Sequence, residues 1–228
     1  EKPLIRRLSL EAPGTFEHTL LICGLAEEAT RMIGGDIDLI KTGALYHDVG
    51  KLHAPNWFIE NQDGSKNPHD EIDDPFRSAE VLQAHVDEGL KYARKNRLPK
   101  PIVNFIPEHQ GTLKMGYFFQ KAKEKNLKIN ENDFRYKGPV PQSKETAILM
   151  LADGCEAALR AMNINASDNE ALETISRIIY SRQKDGQLDD SNLSKGEIFL
   201  IKRAFLNVWK RIRHRRIQYP TSKNNTFS

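Results

Sequence analysis

Apolar residues in this chain recur with the helical period of about 3.6 almost from end to end, and no useful stretch alternates with the period of two of a half-buried strand. That one feature predicts an all-α fold. A helix over 14–33 follows "APG" and carries Leu21, Ile22, Leu25 and Ala29 on one stripe. Asp36 is placed to cap a second helix, running to about Leu52. Further helices are predicted over about 76–96, 100–109, 113–126, 144–162, 169–184 and 194–216. Two stretches lack the period: "HAPNWFIENQDGSKNPHDEIDDP" at 53–75 and "INENDFRYKGPVPQS" at 129–143. Loops of that length in a compact domain are often functional. No internal repeat divides the chain, and 228 residues suffice for one domain with a real core.

Within the helical pattern, several polar residues stand where apolar ones are expected. "LYHDVGKLHAP", 45–55, places His47 and Asp48 side by side on a helix that otherwise reads as buried. His47 shares a stripe with Ile40, Gly43 and Ala44; His18 lies with Leu21, Ile22 and Leu25; His85 with Leu82 and Gly89; His109 with Ile102, Phe105 and Ile106. Asp153 is the only charge in "TAILMLADGC". A lone histidine on an apolar face is usually a hydrogen-bonded core residue. Five such groups on five helices would together cost several kcal/mol if left uncompensated. Convergence on metal turns the same groups into ligands. Imidazole nitrogens with a few carboxylates suit iron, manganese, cobalt, nickel or zinc rather than magnesium or calcium. The two oxygens of Asp48 can serve two ions, and paired metals are a standard arrangement for phosphate-ester hydrolysis. His53 and His69 lack an inward stripe and are left out of the ligand set.

Composition narrows the alternatives. Hydrophobic residues at 39% and charged residues at 29% are ordinary for a globular protein, and a net charge of +3 is too mild to argue for DNA or RNA. No run of about 18 apolar residues is present to span a bilayer, and there is no secretory signal. Cys23 and Cys155 sit in apolar helical patterns and are expected as reduced core thiols. A chain that starts at Glu1 reads as a fragment or a processed form, so an upstream membrane segment stays open.

His18, "HD" at 47–48 and Asp153 resemble the H…HD…D signature of the HD-domain metal-dependent phosphohydrolases. The longer strings "APGTFEHTL", "YHDVGKL", "FIENQ", "NPHD", "FIPEHQGT", "DFRYKGPVPQSKE", "MLADGCEAALR", "QLDDSNL" and "RIQYP" resemble the cytoplasmic HD domain of the bacterial seven-transmembrane HD family, over about residues 10–220. The resemblance implies an HD-domain helical bundle with a dinuclear metal site between helices. It implies a phosphodiesterase that linearises cyclic di-AMP to 5′-pApA by a metal-bridging hydroxide, with two divalent transition ions, manganese or iron foremost. His18, His47, Asp48 and Asp153 would bind the first ion, Asp48 bridging, and His85 and His109 the second. Asp48 and Asp153 would orient the nucleophile, and Lys51, one turn after His47, would contact a phosphoryl oxygen. Family members commonly carry a second histidine directly after the one matching His109; here the residue is Gln110, a weaker and harder ligand that can still coordinate. The resemblance also implies upstream transmembrane and sensor regions and a cytoplasmic placement at a membrane. Residues 1–13 are then a linker, 14–220 the HD domain and 221–228 a disordered tail. A homodimer is one assembly the sequence allows.

The loop 53–75 should border the pocket, so Asn61, Gln62, Asn67 and His69 are candidates for base or ribose contacts, with turn chemistry as the alternative. Thr112, Arg135 and Tyr136 are further candidates for phosphate or base. The basic "WKRIRHRR" at 209–216 is best explained by the dipole of its helix C-terminus, His214 being a surface residue. Two rivals stay open. One is an HD phosphohydrolase acting on cyclic di-GMP, a dNTP or ppGpp. The stretch "HQGTLKMGYFF" lacks the proline of the Gly-Tyr-Pro motif found in the cyclic di-GMP group. The other is a nucleotide-binding signalling module with a site impaired at Gln110.

Overall fold

The computed structural model describes residues 3–216 apart from 63, 65, 126 and 164, with side chains up to 213. The predicted tail at 221–228, the stretch 217–220 and the His214 side chain lie outside the described residues. Eleven α-helices are described: α1 (Pro3–Glu11), α2 (Pro13–Ile33), α3 (Ile37–Tyr46), α4 (Pro68–Ile72), α5 (Pro75–Lys95), α6 (Lys100–Val103), α7 (Phe105–Glu108), α8 (Gly116–Glu124), α9 (Lys144–Arg160), α10 (Asp168–Lys184) and α11 (Lys195–Arg216). Short 3₁₀ turns stand at Val49–His53, Pro55–Trp57, Ile59–Asn61 and Glu131–Phe134. Among the described residues there is no strand, only an isolated bridge between Lys114 and Arg135.

Side-chain caps fix where the main helices begin. Asp36 accepts from Leu39 N–H at α3, as expected. Asp74 accepts from Phe76 and Arg77 N–H at α5. Reciprocal capping boxes, Ser143 with Thr146 and Ser167 with Glu170, start α9 and α10. α9 runs through the centre: Ala147 to Ala152 are all buried, against Ile22 and Leu25 of α2, Ile40 and Ala44 of α3, Ile175 and Ile179 of α10, and Ile201 and Phe205 of α11. Phe134, Met115 and Phe118 build a separate apolar cluster beside α5.

Three expectations need correction. The stretch assigned as linker is, over its described part, the helix α1. Leu4 and Leu8 are buried with Tyr46, Val49, Leu52, Ala93, Ile102 and Ile106. Burying each leucine is worth about 1.5–3 kcal/mol, so α1 belongs to the packed domain. The second predicted helix stops at Tyr46 rather than at Leu52, and the chain tightens into the Val49–His53 turn. Gly50 is the reason: a Cβ there would lie 1.7 Å from the His85 carbonyl oxygen and 2.5 Å from Gly89 N, so the turn packs backbone to backbone on α5. Finally, the helix predicted over 100–109 is interrupted at Asn104, giving α6 and α7. Pro107 contributes, because it has no N–H for the Val103 carbonyl.

Candidate metal centre

The end of α3 explains how adjacent residues serve one centre. Successive side chains on a regular helix do not face the same point. His47 keeps helical dihedrals, but Asp48 moves to φ −107°, ψ 12°, and both side chains turn into the same buried space. α5 brings His85 there, and the end of α7 brings His109. The Asp48 Oδ1 atom lies 3.5 Å from His85 Nε2 and 3.4 Å from His109 Nε2, and Asp48 Oδ2 lies 3.3 Å from His47 Nε2. The two Nε2 atoms of His85 and His109 are 3.4 Å apart. All four side chains are no more than 1% exposed.

Each ring is held from behind by its own chain. Nδ1–H of His47 donates to the Ala44 carbonyl (2.7 Å), that of His85 to Leu82, and that of His109 to Ile106 (2.6 Å). This shared i−3 bond fixes the tautomer and aims every Nε2 at the centre, as second partners of metal-binding histidines do. Burial, only partly countered by the Asp48 charge, pushes His85 down to about 3, which keeps it neutral. Burial would raise Asp48, but the Lys51 ammonium beside it outweighs that and holds the carboxyl well below its usual range. Lone pairs from two imidazoles and a carboxylate oxygen therefore converge within 3.4–3.5 Å. Asp48 Oδ1 and His47 Nε2 are buried with no hydrogen-bond partner. Unpaired buried acceptors are costly, and a cation among them removes the cost. His47, Asp48 and His109 offer ligand atoms within 4.8 Å of one another. The donor set fits a transition-metal ion.

His18 and Asp153 meet beside this cluster. α2 and α9 place His18 Nε2 at 2.9 Å from Asp153 Oδ1, and His18 Nδ1 against Glu156 Oε2. Burial alone would favour the neutral ring, but the bonds to Asp153 and Glu156 hold its pKa up at about 10. The Asp153 charge also acts on His47 and Asp48. Its side chain is 21% exposed, so the centre opens to solvent on this side. Lys51 closes the other edge, with its ammonium 2.7 Å from Asp48 Oδ2 and 2.7 Å from Glu60 Oε1.

Residues 15–158 match the HD-domain family, a span that holds His18, His47, Asp48, His85, His109 and Asp153. The chain belongs to the HD-domain family. It is 48% identical over 223 residues to an uncharacterised protein of Synechocystis sp., a match covering 96% of this chain and 27% of that protein. It is 37% identical over 222 residues to the cyclic-di-AMP phosphodiesterase PgpH of Listeria monocytogenes, covering 97% and 31%. The corresponding figures for PgpH of Bacillus subtilis are 38% over 218 residues, covering 96% and 30%. The chain spans less than a third of the length of these curated relatives. The crystal structure of the L. monocytogenes PgpH HD domain in complex with cyclic-di-AMP matches with a TM-score of 0.89 at 35% identity, covering 93% of this chain and 98% of that one. A second crystal structure of the L. monocytogenes PgpH HD domain matches with a TM-score of 0.88, again at 35% identity, covering 94% of this chain and 100% of that one. The all-α HD fold expected from the sequence is the fold observed.

Most loop residues singled out for substrate are occupied within the HD domain itself. Asn61 accepts from Thr15 N–H (2.9 Å) and donates to Thr15 Oγ1 (2.8 Å) and the Pro55 carbonyl (3.2 Å), clipping the loop onto α2. Gly14 makes the clip feasible, since a Cβ there would lie 1.8 Å from the Glu60 carbonyl oxygen. Gln62 donates to Asn56 O and Asn67 Oδ1, and Asn67 caps α4. His69, read as lacking an inward face, is in fact buried, donating to the Trp57 carbonyl (2.9 Å) and packed between Trp57 and Phe118. Thr112 donates its backbone N–H to Gln187 Oε1 and accepts from Gln187 Nε2 at its hydroxyl, and Arg135 is held by Glu131, Asp185 and the Thr112 carbonyl. Tyr136 alone of these faces the centre, its ring edge-on to His85 at 5.8 Å. Gln110 is half-buried in the turn after α7. In the basic stretch, Lys210 pairs with Asp168 and Arg211 with Glu28, while Arg213 stacks on Trp209. Cys23 and Cys155 are free thiols.

Two acidic residues at the centre were not among the sequence candidates. Glu156 lies three residues after Asp153 and so on its face of α9, a helical signal that was available. Glu60 lies in the last of three successive 3₁₀ turns, which carry no such period.

Proposed function

We propose that this HD domain is a metal-dependent phosphodiesterase that opens cyclic di-AMP to 5′-pApA. The observation that carries the reading is the set of buried ligand atoms around Asp48: three imidazoles fixed from behind, with Asp48 Oδ1 and His47 Nε2 lacking any hydrogen-bond partner. The substrate rests on likeness to the PgpH HD domain crystallised with cyclic-di-AMP, across nearly the whole chain. The nitrogen-rich donor set with carboxylates suits two divalent ions, manganese or iron. His18, His47, Asp48 and Asp153 would hold one ion and His85 with His109 the other, Asp48 giving an oxygen to each. Gln110 would offer an amide oxygen to the second ion where an imidazole is common. When bound, the ions supply a water that ionises near neutral pH and neutralise phosphoryl charge.

The chain's own groups complete the chemistry. Asp153, on the open side, accepts a hydrogen bond from the attacking water and orients it. Lys51 donates to a phosphoryl oxygen as charge builds up there. Phe58 and Tyr136 flank His85 and keep bulk water from the second position. We read the domain as the cytoplasmic part of a membrane-attached chain with upstream transmembrane and sensor regions, consistent with relatives more than three times its length. Among the described residues no helix is long and apolar enough to cross a membrane. Chromatography of products from the manganese-loaded domain tests the proposal: cyclic di-AMP should be consumed faster than cyclic di-GMP. The opposite order overturns it. Gln110 supports a second reading, a sensor with a weakened site, which would bind cyclic di-AMP and leave it intact.

A further inference from the structure

Lys51 has a second carboxylate that the proposed chemistry does not use. Its ammonium is gripped by Asp48 Oδ2 at 2.7 Å and by Glu60 Oε1 at 2.7 Å, and it lies 5.1 Å from the centre of the Phe58 ring. The Lys51 and Glu60 side chains are only 11% and 7% exposed. Glu60 Oε1 also accepts from Thr15 Oγ1 at 3.0 Å. The turn that carries Glu60 is tied to α2 through Asn61 and the close approach at Gly14, one residue before Thr15 and four before His18, whose ring meets Asp153 and Glu156. Glu60 is thus fixed from both ends.

A buried ion pair is weak grounds for stability, since desolvation consumes much of its attraction. Here one ammonium meets two carboxylates, which makes the second one harder still to explain as a stabilising contact. The charges balance differently once cations occupy the centre. Asp48 is then committed to the ions, and Lys51 faces like charge a few ångströms away. Without a counter-charge on its outer side the ammonium would be driven off the centre. We propose that Glu60 is a positioning residue, holding the Lys51 ammonium at the phosphate-facing edge of the centre while Asp48 serves the metal. Its consequence for turnover rests on the phosphodiesterase reading; the pairing itself does not.

The test is a double-mutant cycle over the wild type, Glu60→Gln, Lys51→Met and the two together. With manganese and cyclic di-AMP, Glu60→Gln should lower kcat on the order of tenfold, as expected for a displaced catalytic group. Lys51→Met should lower it about a hundredfold, and the double variant should be no worse than Lys51→Met. Losses that multiply, or wild-type turnover in Glu60→Gln, overturn the proposal. The melting temperatures of the same four proteins, stripped of metal, read the pairing without substrate. Non-additive shifts are expected, and strictly additive shifts count against the pairing. A wild type inert toward cyclic di-AMP would defeat the phosphodiesterase reading alone, and the melting cycle would still decide whether Glu60 acts through Lys51.

Discussion

Gly50→Ala tests whether the backbone contact between the Val49–His53 turn and α5 sets the ligand geometry. An alanine Cβ would lie 1.7 Å from the His85 carbonyl oxygen, whereas real contacts essentially never fall below 3.0 Å. The opposing atom is backbone, so no side-chain rotation relieves the overlap, and α5 must retreat by at least about 1.3 Å. Two ligands of one ion lie at most about 4.2 Å apart, twice a bond of about 2.1 Å. The present Asp48–His85 gap of 3.5 Å meets that limit. A retreat of about 1.3 Å along the same line opens it to about 4.8 Å, beyond reach of a shared ion. The overpacking itself should cost about 1–3 kcal/mol. The assay is metal content and turnover beside thermal melting, with Gly24→Ala as the control. A Cβ at Gly24 meets nothing within 4 Å, so that variant should keep its metal and gain about 0.5–1 kcal/mol of helix stability. A folded Gly50→Ala protein with full metal content and wild-type turnover would refute the reasoning.

Glu156→Gln removes the charge that anchors His18 from behind and should weaken manganese binding about 10- to 100-fold by titration calorimetry; unchanged affinity would contradict the anchoring role. Asn61→Ala leaves Thr15 N–H without its partner and should lower stability by about 1–3 kcal/mol in a denaturant melt. The same variant should leave the preference between cyclic di-AMP and cyclic di-GMP unchanged, and a shifted preference at full stability would restore Asn61 as a base contact. In chelator-treated protein His85 binds its proton more weakly folded, at about 3, than unfolded, near 6.5. Its contribution is therefore fully present above pH 6.5 and is lost as the pH falls toward 3, on the order of a few kcal/mol. His85→Leu should flatten the melting temperature across that window, and an unchanged slope would show that His85 is not held neutral.

The fold and the centre of the site were legible because both follow a helical period. Burial of His18, His47, His85 and His109 is dictated by their apolar neighbours three and four positions away, and the cost of burying them points to a shared partner. What escaped detection depends on contacts between distant parts of the chain. Asn61 pairs with Thr15, Thr112 with Gln187, and Arg135 with Asp185, separations of 46, 75 and 50 residues. A polar loop residue looks the same in sequence whether it meets a ligand or another loop. The early end of α3 at Tyr46 was hidden for a related reason: it is imposed by the approach of α5 to Gly50, not by a local stop signal. The nine residues of α1 bury only Leu4 and Leu8, too few to stand out as periodic in the sequence.

Metal content per chain tests the central claim most directly, measured on the wild type and on Asp48→Asn after equilibration with manganese and removal of the excess. The wild type should retain about two ions per chain. Asp48→Asn keeps the side-chain volume but gives up the shared ligand, and it should lose most of both. A wild type that retains essentially no metal, or an Asp48→Asn protein that retains as much as the wild type, would contradict the account.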